Sequence, residues 1–271
     1  MNRATKKLEF AGIGSARLDT LILLEDALHK DRSWLLAHPE TELTDFQQKR
    51  LEKQIKRRAR HEPLAYIRGF TEFYGRRFMV NKRVLEPRPE SETMIELLRK
   101  LANRQRLTAK SWFMADIGAG CGAIGITAAL EMHNHNVDLY DIDASALAVA
   151  KHNCVLHELH LRTVKRDLLR NSHKPYDVIL ANLPYVPDHW KINKAAAMEP
   201  RIAIFGGKDG LDVYRRLFEQ LTHFNWRPKY VLTESLPPQH EKLAKIARDA
   251  DFRELKRVDF IQVFSPTKQI T

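Results

Sequence analysis

The sequence has little cysteine, and its apolar residues form no long run. Only Cys121 and Cys154 occur among 271 residues, so a disulfide framework is excluded and a reducing cytoplasm is the expected compartment. No apolar stretch reaches the roughly 18 residues that a membrane-spanning helix needs, and the basic start of the chain lacks the apolar segment of a signal peptide. The sequence therefore predicts a cytoplasmic protein without a membrane partner.

Acidic residues are too few to balance the basic ones. The chain has 45 Lys and Arg against 34 Asp and Glu, which gives a formal net charge of +11. Many of these cations lie between positions 49 and 60, on one predicted helix. Excess positive charge favours an acidic partner, either RNA or a protein, but a solvated helix face has the same pattern. Charge alone leaves the partner open.

The apolar pattern changes along the chain from helical to alternating helix and strand. Helices are predicted at 16–29 and, opening on a Thr44–Gln47 capping box, at 44–60. A hairpin at 70–80 and a proline-rich junction at 87–89 follow. Beyond residue 90 we predict strands at 111–117, 137–142, 176–181, 230–234 and 258–264, helices at 91–101, 123–132, 144–156, 211–221 and 239–247, and a loose tail from 265. This alternation predicts an α/β domain with a mostly parallel sheet and helices on both faces.

A glycine-rich turn follows the strand predicted to end at Ile117. Such a turn before a helix lets a ligand approach the backbone and exposes the helix N-terminus. Its glycine spacing differs from the dinucleotide fingerprint, so an NAD site and a merely tight turn are alternatives. The Asp-x-Gly-x-Gly-x-Gly form resembles motif I of S-adenosylmethionine-dependent methyltransferases. The candidate cofactor-binding residues are Asp116, Gly118, Ala119, Gly120, Cys121 and Gly122; the Cys121 thiol has no evident base and is not expected to be catalytic.

An acidic position follows the next predicted strand, about 20 residues after the glycine turn. An acid here can accept hydrogen bonds from both hydroxyls of a ribose. Asp141 follows the strand directly and is the candidate, whereas Asp143 fits the N-cap of the next helix; alternatively, both acids only cap the helix. Further on, similar methyltransferases place an acid and an apolar neighbour against adenine. This resemblance adds Asp167 and Leu168 to the candidate cofactor site.

The tetrapeptide Asn182-Leu183-Pro184-Tyr185 ends the strand predicted at 176–181. Pro184 restricts Leu183 to an extended conformation and presents its carbonyl. The Asn182 side-chain oxygen and that carbonyl suit the two hydrogens of a planar NH2 group, with the Tyr185 ring as a platform. Fixing such a nitrogen near a methyl donor lowers the activation barrier, because the two reacting groups no longer lose freedom on meeting. The two oxygens also stabilise charge that grows on the nitrogen. We therefore predict methylation of a planar nitrogen, with the strand end alone as the simpler alternative.

Three segments resemble, in their order along the chain, the glutamine methyltransferases that modify peptide chain release factors. They are residues 62–75, 84–92 and 199–212, and the resemblance extends from about Gly14 to Phe252. It implies a Rossmann-like class I methyltransferase sheet, S-adenosylmethionine as methyl donor with S-adenosylhomocysteine as product, and no metal. It also implies that Asn182, Pro184 and Tyr185 are catalytic, that Leu183 joins them in binding the glutamine of a Gly-Gly-Gln loop, and that Asn182 also contacts the cofactor.

The resemblance further implies that the chain is divided into three parts. A helical substrate-recognition domain at 1–69 would hold the release factor, a β-hairpin linker would follow at 70–86, and the methyltransferase domain would occupy 87–271. Three positions depart from the family pattern. Leu183 stands where the family usually has proline, Ser235 and Leu236 replace an apolar residue and glycine, and the last predicted strand lacks a Gly-Arg-Asp-Arg segment.

Two other functions stay open at this point. The tetrapeptide by itself is similar to that of rRNA adenine dimethyltransferases. An adenine N6-methyltransferase acting on rRNA or DNA is therefore the alternative, with the excess cations as phosphate contacts. A helical half before the glycine turn, ending in Pro87-Arg88-Pro89-Glu90, favours the glutamine family instead. The third possibility, a binding module that has lost catalysis, is disfavoured by the intact Asp116, Asp141 and Asn182.

Overall fold

The structure of the chain is a computed structural model that describes residues 1–104 and 111–268. The chain forms two compact units, one of Met1–Phe70 with Ile192–Met198 and the other of Thr71–Lys191 with Glu199–Thr271. Throughout the described residues, every helix is too short or too polar to cross a membrane.

The first unit is helical. Its helices are α1 (Asn2–Phe10), α2 (Ala16–Leu28), α3 (Arg32–Ala37), α4 (Asp45–Arg58) and α5 (Leu64–Arg68). The side chain of Thr44 accepts the Gln47 N–H and Gln47 accepts the Thr44 N–H, so the predicted capping box is confirmed. Helix α1 was not predicted, because it is short and polar and buries only Leu8.

Part of the basic cluster on α4 has an internal structural role. Arg58 pairs with the buried Asp19 at 2.6 Å, and Arg57 pairs with Glu62. These two cations compensate carboxylates of their own unit. The side chains that are exposed to solvent are Lys49, Arg50, Lys53, Lys56 and Arg60. The cluster therefore combines internal ion pairs with a solvated positive face.

Two sheets follow along the chain. The first is a hairpin of β1 (Phe70–Phe73) and β2 (Arg76–Met79). The remaining elements are α6 (Glu92–Arg104), β3 (Phe113–Ile117), α7 (Ala123–Glu131), β4 (Asn136–Asp141), α8 (Ala144–Leu156), β5 (Arg162–Lys165), β6 (Val178–Ala181), α9 (Arg201–Ile204), α10 (Asp212–Thr222), β7 (Tyr230–Glu234), α11 (His240–Asp249), β8 (Phe252–Val258) and β9 (Ile261–Pro266).

The strands from β3 onward form one seven-stranded sheet in the order β5-β4-β3-β6-β7-β9-β8. Pairing is parallel from β5 to β7, and β9 runs antiparallel to both β7 and β8. The chain leaves β3 towards β4 and β5, and then crosses to β6 on the other side of β3. In such sheets, ligands bind outside the carboxyl ends of the strands at this switch point. The predicted α/β fold with a mostly parallel sheet is confirmed, and the fold brings the loops after β3, β4 and β6 to one edge.

The carboxyl-terminal strands differ from the prediction, which placed one strand at 258–264 and a loose tail from 265. The structure has two strands there, separated by a tight turn at Asp259, whose φ is +50°. β8 is mostly exposed and charged, so it lacks the apolar run that marks a strand. Ser265 and Pro266 belong to β9, and residues 269–271 of the predicted tail lie outside the described part of the chain.

Candidate active site

A cavity of about 190 Å³ lies at the carboxyl ends of β3, β4 and β6. Its lining includes most of the predicted site residues, which come from four separate segments: Gly118, Ala119, Gly120, Cys121, Asp141, Asp167, Leu168, Asn182, Leu183 and Pro184. Asp116, Gly122 and Tyr185 lie outside this lining. Within residues 1–104 and 111–268, no group of three His, Cys, Asp or Glu side chains is arranged to hold a metal ion; a metal-free reaction stays a prediction.

The glycine turn is held against the neighbouring strand and the substrate corner. The Gly118 and Ala119 N–H groups both donate to the carbonyl of Tyr140 on β4, at 2.9 and 2.8 Å. Gly118 has φ +74°, and a Cβ added there would lie 3.0 Å from the Leu183 side chain. Only glycine meets both requirements without displacing its neighbour. The turn and the corner after β6 are therefore packed against each other.

Asp116 shapes the turn from beneath the cavity. Its carboxylate accepts the Gly125 N–H at 2.8 Å in the first turn of α7. The side chain is 1% exposed, and burial raises the pKa of this carboxyl to about 7. Gly125 allows the approach, since a Cβ there would lie 2.8 Å from an Asp116 oxygen. This carboxylate thus fixes the start of α7 without facing the cavity.

Asp141 faces the cavity and also holds two backbone groups. One oxygen accepts the Gly120 N–H at 2.9 Å and the other accepts the Asp143 N–H at 2.8 Å. Burial raises the pKa of Asp141, and these hydrogen bonds oppose the rise. Each carboxylate oxygen has two lone pairs, so both can accept further hydrogen bonds. Asp143 accepts the Ser145 N–H at 2.7 Å, which confirms it as the N-cap of α8.

Cys121 contributes a buried side chain and an anchored carbonyl. Burial raises the pKa of its thiol to about 12, so the thiol stays protonated and is a poor nucleophile. Its carbonyl accepts a hydrogen bond of 2.8 Å from the Asn153 side chain on α8. Asn153 also pairs with both backbone groups of Met79 on β2, at 2.8 and 3.0 Å. One fully buried amide therefore connects the glycine turn with the hairpin.

Asp167 and Leu168 follow β5, an edge strand of the sheet, and line the cavity. The Asp167 carboxylate forms an ion pair with Arg216 of α10, which also lines the cavity. Leu168 is buried in the left-handed region at φ +53°. Its neighbour Leu169 donates its N–H to Gln220 at 2.9 Å, which holds this unusual backbone conformation in place.

The corner after β6 is fastened by Tyr214 of α10. The Leu183 N–H donates to the Tyr214 hydroxyl at 3.1 Å, and that hydroxyl lies 3.2 Å from the Ala181 carbonyl oxygen. It also contacts the Glu234 carbonyl oxygen at the end of β7. Tyr214 is fully buried. It therefore joins the ends of β6 and β7 through their backbones.

A buried carboxylate, Glu234, connects the two polar side chains of the corner. The Ser91 hydroxyl donates to Glu234 at 2.6 Å, and the Tyr185 hydroxyl donates to its other oxygen at 3.1 Å. The Asn182 side-chain NH2 donates to the Ser91 oxygen at 3.0 Å. Burial raises the pKa of Glu234, and the hydrogen bonds from Ser91 and Tyr185 oppose the rise.

The segment from residue 199 to 212 supports the corner by backbone contact. Val186 exchanges hydrogen bonds with the chain at the end of α9: the Val186 N–H donates to the Ile204 carbonyl and the Gly206 N–H donates to the Val186 carbonyl, both at 2.9 Å. A Cβ on Gly210, whose φ is +81°, would lie 2.1 Å from the Tyr185 carbonyl oxygen. Gln239 donates to the same oxygen at 2.7 Å. The tetrapeptide thus lies between two supporting segments.

Comparison with known proteins agrees with this arrangement. Residues 1–69 match the PrmC N-terminal domain and residues 92–199 match the methyltransferase small domain. The release factor glutamine methyltransferase of Koribacter versatilis is 39% identical over 223 residues, covering 80% of this chain and 78% of that protein. The chain belongs to the release factor glutamine methyltransferase family. The Coxiella burnetii member is 33% identical over 242 residues, covering 88% of this chain and 86% of that protein.

A solved structure agrees with the fold of this family member. The 16S rRNA N2 G1207 methyltransferase of T. Thermophilus, in complex with AdoMet and guanosine, superimposes with a TM-score of 0.53. It is 15% identical and covers 73% of this chain and 49% of that chain. At that identity the similarity concerns the fold alone. It confirms the predicted methyltransferase sheet.

Four residues around the site of this family member were not found from its sequence: Ser91, Asn153, Tyr214 and Glu234. Each is buried and reaches the site through a hydrogen bond to a predicted residue. Glu234 ends a predicted strand beside the departure at Ser235, but that departure gives the glutamate no role. Ser91 lies in the 84–92 segment of the family resemblance, which gave it no role, and Asn153 and Tyr214 lie on helices without a motif. Their partners are distant in the sequence, so no spacing reveals them.

Proposed function

We propose that the protein transfers a methyl group from S-adenosylmethionine to the side-chain amide nitrogen of the glutamine in the Gly-Gly-Gln loop of a peptide chain release factor. The observation that carries this proposal is that Asn182 lines the same cavity as the glycine turn and Asp141. The likeness to relatives named release factor glutamine methyltransferase supports the choice of substrate. We also place the protein in the cytoplasm, since both cysteines are free thiols.

The cavity suits S-adenosylmethionine in shape and polarity. The Gly120 backbone borders open space, because an added Cβ would meet no atom within 4 Å. Asp141 would accept the ribose hydroxyls with its remaining lone pairs, and Leu168 would contact the adenine. Asp116 and Gly122 would act indirectly, by holding the turn. When bound, the cofactor supplies an electrophilic methyl group.

The corner after β6 would orient the substrate amide. The Asn182 side-chain oxygen and the Leu183 carbonyl would each accept one N–H of the glutamine NH2 group. Both oxygens stabilise positive charge that grows on the nitrogen as its lone pair is used. An amide nitrogen is a weak nucleophile because its lone pair is delocalised, so ordering it beside the methyl donor is the main contribution of the protein.

Pro184 and Tyr185 would keep the amide in a dry slot. Pro184 holds the Leu183 carbonyl towards the cavity, and the Tyr185 ring is fixed by its hydroxyl bond to Glu234. The nitrogen becomes acidic once its lone pair is bonded to the methyl group, so its proton can pass to solvent as the product leaves the slot, without a strong base. Glu234 is not needed as that base, and its carboxylate already accepts the hydroxyls of Ser91 and Tyr185.

We propose that the helical part at 1–69 recognises the release factor, that 70–86 is a linker, and that 87–271 carries catalysis. The likeness of residues 1–69 to the PrmC N-terminal domain supports the first role. The exposed cations of α4 would face an acidic surface of the substrate. A nucleic acid would use the same cations as phosphate contacts, but the N-terminal likeness favours a protein.

The test is methyl transfer from labelled S-adenosylmethionine to a purified release factor, with rRNA as a parallel substrate. We expect label on the intact factor, and none on a factor whose Gly-Gly-Gln glutamine is replaced by alanine. Label on both factors would place the methyl on another residue. Label on rRNA alone would identify a nucleic-acid adenine methyltransferase instead.

A further inference from the structure

We propose that Glu234 is a positioning residue that determines which branch of the Asn182 amide faces the cavity, and that it acts through Ser91. The expected effect on catalysis rests on the proposed function, because Asn182 must offer an acceptor only if the substrate presents an NH2 group. The orientation of the Asn182 amide depends on the contacts of the corner alone. Glu234 is 1% exposed, so its carboxylate is removed from water and depends on protein donors.

The Ser91 hydroxyl connects the Glu234 carboxylate to Asn182, because it donates to the first and accepts from the second. An ionised carboxylate only accepts hydrogen bonds, and a serine hydroxyl has a single hydrogen to donate. That hydrogen is used at 2.6 Å on Glu234, so Ser91 offers a lone pair to Asn182. A lone pair requires a donor, which is the Asn182 NH2 group at 3.0 Å.

The orientation of Asn182 follows from this chain of donors. The nitrogen and oxygen of a side-chain amide occupy opposite branches of one plane. With the nitrogen on Ser91, the oxygen lies on the other branch, and Asn182 is one of the residues that line the cavity. In the proposed orientation this oxygen faces the cavity, where the substrate NH2 group needs an acceptor.

A neutral group in place of the carboxylate would remove this restriction. A glutamine can donate to Ser91, whose hydrogen would then be free for the Asn182 oxygen. The Asn182 amide would turn over and present its own NH2 group to the substrate NH2 group. Two donors would face each other, and the substrate NH2 group would lose the Asn182 oxygen as its acceptor.

Tyr185 is held by the same carboxylate. Its hydroxyl donates to the second Glu234 oxygen at 3.1 Å. The position of Glu234 at the end of β7, directly beside β6 in the sheet, lets it reach both side chains of the corner. One buried anion therefore orders the amide and the aromatic ring together.

The experiment compares Glu234→Gln, Ser91→Ala and their double variant. We expect kcat with the release factor to fall by roughly tenfold or more in each single variant, while the Kd for S-adenosylmethionine stays near the wild-type value. Because both act through one chain of hydrogen bonds, the double variant should be no slower than the slower single one. Additive losses, or a Glu234→Gln enzyme with wild-type kcat, would overturn the proposal.

Asp138→Asn is the matched control for the loss of a buried carboxylate. Asp138 is buried on β4 and accepts a tyrosine hydroxyl, from Tyr176 at 2.6 Å, as Glu234 does from Tyr185. It contacts no residue of the corner in the described hydrogen bonds. We expect this variant to lose stability towards urea but to keep its kcat. An equal loss of kcat in Asp138→Asn would assign the Glu234 effect to general destabilisation.

A second readout separates this proposal from the proposed function. In protein labelled with ¹⁵N-asparagine, the side-chain NH2 signal of Asn182, assigned by its absence in Asn182→Ala, should shift in Glu234→Gln and Ser91→Ala but not in Asp138→Asn. An unmoved signal in Glu234→Gln would overturn the positioning role even in an active enzyme. If wild-type protein methylates no release factor while the signal does shift, the proposed substrate fails and the positioning stands.

Discussion

The backbone N–H of Leu183 donates a 3.1 Å hydrogen bond to the hydroxyl of Tyr214. The family that the chain resembles usually has proline at this position, and a proline has no N–H to donate. Leu183 also packs its side chain into the core beneath the glycine turn. The restraint that a proline ring would give is therefore supplied here by a tertiary hydrogen bond. The departure at Leu183 does not leave the corner loose.

We expect Tyr214→Phe to lower the free energy of unfolding by roughly 1–3 kcal/mol, because it leaves buried backbone groups without their partner. In a Leu183→Pro background the loss should be smaller, since that N–H is already absent. Urea unfolding of the four proteins of this double-mutant cycle measures the coupling. Equal losses in both backgrounds would mean that the Leu183 bond contributes nothing.

Replacement of Asn182 by alanine should stop methyl transfer with little effect on the cofactor. We expect kcat to fall by about 10²–10³-fold, the effect of removing one group that stabilises developing charge. Calorimetric titration with S-adenosylmethionine should give a Kd close to that of the wild type. A parallel loss of cofactor binding would show that Asn182 mainly holds the cofactor or the fold.

Asp141 and Asp143 form a natural matched pair. Asp141→Ala should weaken binding of S-adenosylmethionine by roughly 1–3 kcal/mol, because it removes an acceptor and frees the Gly120 N–H. Asp143→Ala removes a helix cap instead and should cost about 1 kcal/mol of stability. Calorimetry and urea unfolding measure the two quantities. A Kd in Asp141→Ala equal to that of the wild type would remove Asp141 from the cofactor site.

The pKa of Asp116 predicts a pH dependence of stability. Burial raises this pKa from 3.8 to about 7, so between these values the folded protein holds a proton that the unfolded chain has lost. The free energy of unfolding should therefore fall as pH rises from about 4 to about 7, by up to about 4 kcal/mol, and then level off.

Asp116→Asn should remove this part of the pH dependence. The asparagine oxygen can still accept the Gly125 N–H, so the variant keeps the hydrogen bond and loses the ionisation. Urea unfolding at several pH values gives the difference between the variant and the wild type. Glu199, whose pKa burial also raises to about 7, adds a slope of the same sign to both proteins. Parallel stability curves would contradict the shift at Asp116.

Gly210→Ala should disturb the substrate corner. The new Cβ would lie 2.1 Å from the Tyr185 carbonyl oxygen, so one of the two backbone segments must move. Gly75→Ala is the control, because Gly75 also has positive φ but a Cβ there meets no atom within 4 Å. We expect Gly75→Ala to cost about 1–2 kcal/mol of stability from strain alone and to keep kcat. Unchanged transfer by Gly210→Ala would show that the corner tolerates the movement.

The sequence predicted those parts of the site that lie directly after strands. Gly118, Asp141 and Asn182 each follow an apolar run, and the carboxyl ends of parallel strands meet at one edge of a sheet. Local pattern therefore placed residues that are distant in the chain next to one another. The left-handed backbone at Leu168 could not be predicted in this way, because leucine seldom adopts it and a neighbouring contact with Gln220 maintains it.

The residues that orient the site could not be predicted. Ser91 and Glu234 are 143 positions apart, and serine and glutamate are common at the surface of proteins. A glutamate at the end of a buried strand can contact a serine or face solvent, and the neighbouring sequence is the same in both cases. Edge strands such as β8 were missed for a related reason, since their exposed side chains carry no apolar signal.

The buried amide of Asn153 gives the enzyme an internal reporter of ligand occupancy. Its side chain holds the Cys121 carbonyl on one side and the Met79 N–H on the other. A ligand that reduces the motion of the glycine turn must also slow the breaking of the hydrogen bond between the Met79 N–H and Asn153. Hydrogen–deuterium exchange at Met79, on a strand outside the cavity lining, should consequently become slower as the cavity fills.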